Sequence, residues 1–334
     1  MFENSKIQNF GINLINMKLR VLSLLLLLFI ASCATYKEKY AEPFQKSIVP
    51  EEKTVEHTFY LIGDAGKSPM GELNSTLQLF KSKLESAPEN STALFLGDNI
   101  YPDGMPDKKE DAEGYKKAKN HLDAQLATLD DYKGSPIFIP GNHDWYNDGL
   151  KGLERQEEYI KEALDSKKVF QPKNGCPIEK IEVSDKVVII AIDSEWFLVD
   201  WDKHPTINDD CEIKDRVRFF EEYESLIKKN LDKTIIVAIH HPMFTYGSHG
   251  GHYSFKQHIH PTSGKVPLPI LGSVANFLRK TSGVSIEDQP NKMYNRLKKR
   301  LVTLSQFSNK VVFVSGHEHT LQYIVEEGIP QIVL

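Results

Sequence analysis

Short apolar runs recur along the chain, and longer segments with helix-like periodicity separate them. The runs predict buried strands at residues 57–62, 92–96, 136–140, 187–192, 234–239 and 311–314, with one more strand from about residue 328. Apolar residues at helical spacing predict a helix at residues 72–86, and a polar helical stretch covers residues 112–129. Further helices are expected at residues 153–164, 215–231 and 293–307. Strands that alternate with amphipathic helices in this way predict α/β architecture.

Polar side chains follow the predicted strands at the points where the strands end. Each lies in a turn that contains glycine or proline: Asp64, Asp98, Asn142, His240 and the pair His317/His319. One aspartate after a strand is usually a turn former or a helix cap. A consistent set at several strand ends indicates a site, because ligands of α/β folds gather at the carboxyl ends of the strands.

These side chains offer oxygen and imidazole donors without thiolate, which suits ions such as zinc, manganese and iron. The set is too large for one tetrahedral site, so two metal ions are the economical interpretation. Two-metal sites hold ions about 3.5–4 Å apart and act on phosphoryl groups. Such a site can clamp phosphoryl oxygens and generate hydroxide near neutral pH.

The motifs around these residues resemble those of the calcineurin-like metallophosphoesterase superfamily. They are Gly63-Asp64-Ala65-Gly66, Gly97-Asp98-Asn99-Ile100-Tyr101, Gly141-Asn142-His143-Asp144, His240-His241-Pro242 and Gly316-His317-Glu318-His319. Tyr101 and the segment 316–323 look most like the animal-type (tartrate-resistant) purple acid phosphatases. The resemblance implies a four-layer α/β/β/α sandwich and phosphomonoester hydrolysis by a metal-bound hydroxide at a dinuclear centre.

The resemblance also implies a role for each ligand. Asp64, Tyr101 and His319 would hold the first metal ion, and Asp98 would bridge the two ions. The second ion would be held by Asn142, His240 and His317. A phenolate ligand from Tyr101 favours Fe(III), paired with Fe, Zn or Mn, because a highly charged ion lowers the proton affinity of the phenol.

Further polar residues would act beside the metals. The resemblance implies that His143 stabilises the transition state or protonates the leaving group, that Asp144 orients His143, and that His249 is a second leaving-group histidine. His241 is expected to support the ligands. For His252, His258 and His260, an accessory metal site and ordinary exposed loop positions both remain open.

The sequence departs from the family pattern in ways that concern the substrate. Ala65 replaces an aromatic residue, and an insertion at about residues 243–291 is expected to narrow the mouth of the site. A phosphodiesterase or nucleotidase on the same site, and a non-catalytic envelope binding module with a structural metal site, remain as alternatives. The family normally continues beyond residue 334 with a closing strand, so we expect a longer protein that leaves room for a downstream domain.

The amino terminus has the features of an export signal. Lys18 and Arg20 precede an apolar run at residues 21–30, which is too short for a membrane span, and Ile30-Ala31-Ser32-Cys33 resembles a bacterial lipobox. We expect residues 1–32 to be a lipoprotein signal peptide, residues 33–55 a polar tether, and residues 56–334 the phosphoesterase domain. Lipid on Cys33 would anchor the exported protein to the cell envelope, at the outer membrane.

Composition adds two constraints. The net charge of -5 and the pI near 6.2 give no general attraction to nucleic acid, so no nucleic-acid binding is expected. Beyond Cys33 the cysteines are Cys176 and Cys211. An exported compartment permits a disulfide between them, and two free thiols are the equal alternative.

Overall fold

Two β-sheets form the centre of the computed structural model, which describes residues 55–260 and 266–334. In chain order the strands are β1 (Thr58–Ile62), β2 (Ser91–Leu96), β3 (Ser135–Ile139), β4 (Ile178–Ser184), β5 (Val187–Ile192), β6 (Thr234–Ile239), β7 (Val311–Ser315), β8 (Gln322–Glu326) and β9 (Ile329–Val333). The first sheet is parallel, with the order β1-β2-β3. The second has the order β4-β5-β6-β7-β9-β8, with antiparallel pairs at its two edges and parallel pairs between them.

The two sheets pack face to face through an apolar layer. Alternate residues of β2, such as Leu94 and Leu96, join a cluster with Ile189 and Ala238 of the second sheet. The residues between them, such as Phe95, join a second cluster that includes helix side chains. Because both faces of β2 are covered, all six of its residues are buried, as expected for a parallel strand inside an α/β protein. The α/β fold is therefore confirmed.

Helices connect the strands, and most begin at a side-chain cap. They are α1 (Ser75–Leu84), α2 (Ala112–Leu126), α3 (Leu150–Ala163), α4 (Ser194–Leu198), α5 (Arg216–Lys229), α6 (Phe255–Ile259), α7 (Pro269–Ser282) and α8 (Lys292–Ser305). Asp215 caps α5 by accepting from the backbone N–H groups of Val217 and Arg218, at 2.8 and 2.9 Å. In α1, Leu77 and Leu84 are buried, which agrees with the predicted apolar face.

Strand β4 and helix α4 lie in segments where the sequence pattern indicates loops. Strand β4 pairs antiparallel with β5. Its apolar residues Ile181 and Val183 are only half-buried and alternate with exposed residues such as Glu182, so the segment lacks the continuous apolar run of a buried strand. Helix α4 has five residues, too few for a helical period to show. Asp193 begins it by accepting from the backbone N–H of Trp196 at 3.1 Å.

Cys176 and Cys211 form a disulfide, with their Cα atoms 5.4 Å apart. The structure thus decides between the two alternatives that the sequence leaves open. Within the described ranges, no helix has the length and apolar character needed to cross a membrane. The predicted signal peptide, Cys33 and nearly all of the tether lie outside those ranges.

The chain divides into two compact units. The larger contains residues 55–252 and 276–334, and the smaller contains the described residues between 253 and 275. In the described part of the smaller unit, a capping box of Ser254 and Gln257 begins α6, and His258 Nδ1 lies 3.2 Å from Ser273 Oγ. Among the described residues, His252, His258 and His260 belong to no group with metal-ligand spacing.

Candidate metal centre

The predicted ligands lie just beyond the carboxyl ends of five parallel strands. Asp64 follows β1, Asp98 follows β2, and the others follow β3, β6 and β7: Asn142, His240, His317 and His319. Asp64, Asp98, His317 and His319 adopt positive φ angles of 55°, 54°, 76° and 52°. Such angles are uncommon for residues other than glycine, and they persist where the surrounding structure enforces them, often at functional sites.

Four donor atoms converge on the first predicted metal position. The hydroxyl of Tyr101 lies 2.9 Å from Asp64 Oδ1, 2.8 Å from Asp98 Oδ2 and 3.0 Å from His319 Nε2. His319 Nε2 is also 3.3 Å from Asp64 Oδ1. Ligands of one ion at about 2.1 Å lie about 3.0–3.4 Å from one another. The four atoms are therefore spaced as neighbouring ligands of one cation would be.

The second predicted position shows the same spacing. Asn142 Oδ1 lies 3.1 Å from His240 Nε2 and 3.2 Å from His317 Nδ1. Asp98 Oδ1 lies 3.3 Å from His240 Nε2. Asp98 thus directs one carboxylate oxygen toward each group of donors, which is the arrangement that a bridging ligand requires.

Glycine allows the close approach of these strand ends. A Cβ atom on Gly141 would lie 2.3 Å from Asp98 Oδ1, and one on Gly97, where φ is 88°, would lie 2.6 Å from His240 Nδ1. A side chain at either position would displace a predicted ligand.

Backbone carbonyls fix the ring orientation of two of the histidines. His240 Nδ1 lies 2.7 Å from the carbonyl oxygen of Leu96, and His317 Nε2 lies 3.0 Å from that of Glu287. If each of these nitrogens donates its hydrogen to the carbonyl, the other ring nitrogen is left free to bind a cation. Metal-binding histidines commonly have such partners.

The charges of the site favour a cation. Burial, together with the charges of Asp98 and Asp64, raises the pKa of Tyr101 well above its usual value. Burial alone would lower the pKa of His240, but the charges of Asp98 and Asp64 raise it to about 10. The buried carboxylates therefore attract positive charge, whether it is a proton on His240 or a metal ion.

Asp144 and His143 do not form the pair that the resemblance implies. The Asp144 carboxylate accepts backbone N–H groups of Asn99 at 2.9 Å and Gly141 at 2.8 Å. His143 Nδ1 pairs instead with the carbonyl oxygen of Pro102, and His143 Nε2 lies 3.9 Å from Asp98 Oδ2. Asp144 consequently holds two motif loops together, and a backbone carbonyl orients His143.

His249 lies beside the second group of donors. Its ring centroid is 4.0 Å from that of His317, and its Nδ1 is 2.9 Å from Asp288 Oδ1. Arg279 makes two hydrogen bonds to the Asp288 carboxylate, at 2.9 and 2.6 Å. The insertion therefore supplies the carboxylate that orients this histidine.

Sequence reasoning missed three polar residues at the site: Tyr146, Glu287 and Asp288. Glu287 and Asp288 belong to the insertion, and the sequence gives no signal that it reaches the second group of donors. Tyr146 follows the Asn142 motif closely enough to have been considered, since its hydroxyl accepts from Asn142 Nδ2 at 2.6 Å.

The described residues include two groups of donors with the spacing of metal ligands. Among the described residues, Asp64, Asp98 and His319 form one group with metal-ligand spacing, and His241, Glu287 and His317 form another. The second group differs from the predicted one. We favour the set of Asn142, His240 and His317, because His317 Nε2 already bonds the Glu287 carbonyl while its Nδ1 faces Asn142.

Comparison with known families agrees with the motifs. The family model described as calcineurin-like phosphoesterase matches residues 57–321. No curated protein matches the chain significantly in sequence.

Similar solved structures include three of low sequence identity. GAP50 of Plasmodium, the anchor in the inner membrane complex, is 16% identical, with a TM-score of 0.45 over 82% of this chain and 70% of that one. The phosphopantetheinyl hydrolase PptH of Mycobacterium tuberculosis is 12% identical, with a TM-score of 0.35. The match covers 84% of this chain and 89% of that one. A putative 5'-nucleotidase of Staphylococcus aureus is 14% identical, with a TM-score of 0.39. The match covers 82% of this chain and 48% of that one.

Proposed function

Since the chain belongs to the calcineurin-like phosphoesterase family, whose members are metal-dependent phosphoester hydrolases, we propose that it is a phosphomonoesterase with a dinuclear metal centre. The observation that carries the proposal is the convergence of two donor groups that share Asp98. Asp64, Tyr101 and His319 would hold the first ion, and Asn142, His240 and His317 the second. The ions would polarise the phosphoryl oxygens and lower the pKa of a bound water.

The protein's own residues would position the ester and move a proton. In the hydrolysis, the oxygen of one water bonds to phosphorus, the ester P–O bond breaks, and the departing alkoxide takes a proton. His143 is suited to give that proton, because Pro102 holds its Nδ1 and leaves Nε2 on the side of Asp98. His249, held by Asp288, is a second donor at the edge of the second group.

We further propose that the first metal is Fe(III), as in the purple acid phosphatases. The support is the position of the Tyr101 hydroxyl, within 3.0 Å of three other donors. A phenolate at this position is stable only beside a strongly polarising cation, because the surroundings raise the pKa of Tyr101.

The proposed activity is tested with a panel of substrates. Metal-loaded protein should hydrolyse p-nitrophenyl phosphate faster than bis(p-nitrophenyl) phosphate. Asp98→Asn should abolish turnover, while its melting temperature should stay within a few degrees of the wild-type value. Glu182→Gln, at an exposed surface carboxylate, is the matched control. Preference for the diester or for nucleotides would replace the monoesterase proposal by a phosphodiesterase or nucleotidase. Inactivity of metal-loaded protein across the panel would favour a binding module.

We also propose that lipid on Cys33 anchors the protein to the outer membrane of the cell envelope, on the sequence features given above. Cells fed a labelled fatty acid should incorporate it into the wild-type chain and not into Cys33→Ser, and the label should sediment with outer membranes. Equal labelling of the wild type and of Cys33→Ser, or no labelling of either protein, would contradict the lipid anchor.

A further inference from the structure

Glu287 contacts the second donor group through its backbone, and its side chain contacts two residues beside that group. Its carbonyl oxygen lies 3.0 Å from His317 Nε2. Its carboxylate accepts from the Tyr146 hydroxyl at 3.2 Å and lies 2.6 Å from His241 Nε2. One residue of the insertion thus contacts a predicted ligand directly and two neighbours of the ligands.

The carboxylate controls which way the Asn142 amide faces. Asn142 Nδ2 donates to the Tyr146 hydroxyl at 2.6 Å, and Tyr146 donates onward to Glu287 Oε1. Because an ionised carboxylate accepts and cannot donate, the chain of hydrogen bonds has one direction. That direction places Asn142 Oδ1, rather than its NH₂ group, beside His240 and His317.

His241 holds the carboxylate in place. The hydroxyl of Ser194 lies 2.7 Å from His241 Nδ1, so when Nδ1 accepts that hydrogen, Nε2 carries the hydrogen that Glu287 accepts. His241 is fully buried, and 15% of the Glu287 side chain is exposed. Because His241 Nδ1 bonds the Ser194 hydroxyl and Nε2 bonds the Glu287 carboxylate, we assign this network to the support of the metal site.

We propose that Glu287 is a positioning residue for the second metal ion, acting on Asn142 through Tyr146. The inference rests on the proposed dinuclear centre. Loss of a partner that orients a metal ligand typically weakens metal binding about 10–100-fold. The first ion should be affected little, because its predicted ligands make none of these contacts.

The test is a titration of metal-free protein with Zn²⁺ alone, followed by calorimetry, which does not depend on activity. Wild-type protein should bind two ions in two steps. Asp64→Ala should remove the step that belongs to the first ion, and Asn142→Ala should remove the step that belongs to the second. Glu287→Gln should weaken the second step about 10-fold and leave the first unchanged. Glu221→Gln, at a surface carboxylate paired with Arg218, is the control for loss of one negative charge.

A double-mutant cycle separates positioning from a general loss of structure. Tyr146→Phe removes only a hydroxyl, so it should fold normally and weaken the second step as Glu287→Gln does. The double variant should lose no more affinity in the second binding step than either single variant, because the two substitutions break the same chain of hydrogen bonds. Unchanged second-step affinity, equal weakening of both steps, or additive losses would overturn the role of Glu287. Wild-type protein that binds fewer than two ions would instead overturn the dinuclear centre.

Discussion

At the scale of single residues, the site depends on side chains that strained backbone and close glycines bring together. Four of the predicted ligands have positive φ angles, and the sequence already indicated them, because each lies next to a turn residue after an apolar run. The supporting residues were not predictable in the same way. Glu287 and Asp288 lie in an insertion, and only tertiary structure brings them to His317 and His249. The prediction that Asp144 orients His143 was wrong for a similar reason, because the actual partner, the carbonyl of Pro102, comes from another loop.

Tyr101→Phe tests the identity of the first metal. The iron-loaded wild-type protein should show a visible charge-transfer band in the green region, and the variant should lose it, because the phenolate that donates the charge is gone. Asp64, Asp98 and His319 remain, so the variant should still bind an ion at the first position. The measurement is an absorption spectrum together with metal content. A band that survives in Tyr101→Phe would exclude the tyrosinate, whereas a colourless but active wild-type protein would exclude Fe(III) and leave the phosphoesterase.

At the scale of secondary structure, the pattern of apolar residues did not predict the 14-residue α7 of the insertion, but it predicted the parallel strands and the other long helices well. Each of these is either apolar on both faces, as β2 is, or carries a full helical stripe, as α1 does. The pattern failed where burial is partial or the element is short. Strand β4 lies at the edge of its sheet, and α4 is held mainly by its cap at Asp193 and by the packing of buried residues such as Trp196 and Phe197.

Asp193 at the start of α4 should make stability depend on pH. Burial raises its pKa from 3.8 to about 7, so between these values the folded protein holds a proton that the unfolded chain has released. The free energy of unfolding should therefore fall as pH rises from about 4 to 7, by up to about 1.4 kcal/mol per pH unit from this group.

Asp193→Asn should flatten that slope, because the amide does not titrate. The measurement is urea unfolding of the metal-free wild type and variant at several pH values, and the difference in slope isolates Asp193 from Asp144, whose pKa burial also raises to about 7. Parallel curves for the two proteins would show that Asp193 keeps an ordinary pKa. The amide of the Asp193→Asn variant retains a side-chain oxygen that can cap α4, so both proteins should fold at low pH.

At the scale of the whole molecule, two sheets bring the ends of β1, β2, β3, β6 and β7 to one site, although these strands are far apart in sequence. The sequence predicted the fold class and the polar residues at the strand ends that come together, because both follow from local patterns. It did not predict how the insertion would contact the site, because that depends on packing between distant segments. The Cys176–Cys211 pairing was open for the same reason.

The disulfide should contribute substantially to stability. It joins residues that are 35 positions apart, and closing a loop of that length stabilises the folded state by about 4 kcal/mol in the chain-entropy description. The double variant Cys176→Ala/Cys211→Ala should unfold at a correspondingly lower urea concentration, and a reductant should affect the wild type and not the variant. A wild-type midpoint that is insensitive to complete reduction would contradict this contribution.

The most direct measurement of the central claim is anomalous X-ray scattering from crystals of the full chain loaded with Mn²⁺. The proposed dinuclear centre predicts two peaks about 3.5–4 Å apart, one among Asp64, Asp98, Tyr101 and His319 and the other among Asp98, Asn142, His240 and His317. A single peak, or peaks away from these side chains, would contradict the claim that separate strand ends converge to hold a pair of metal ions.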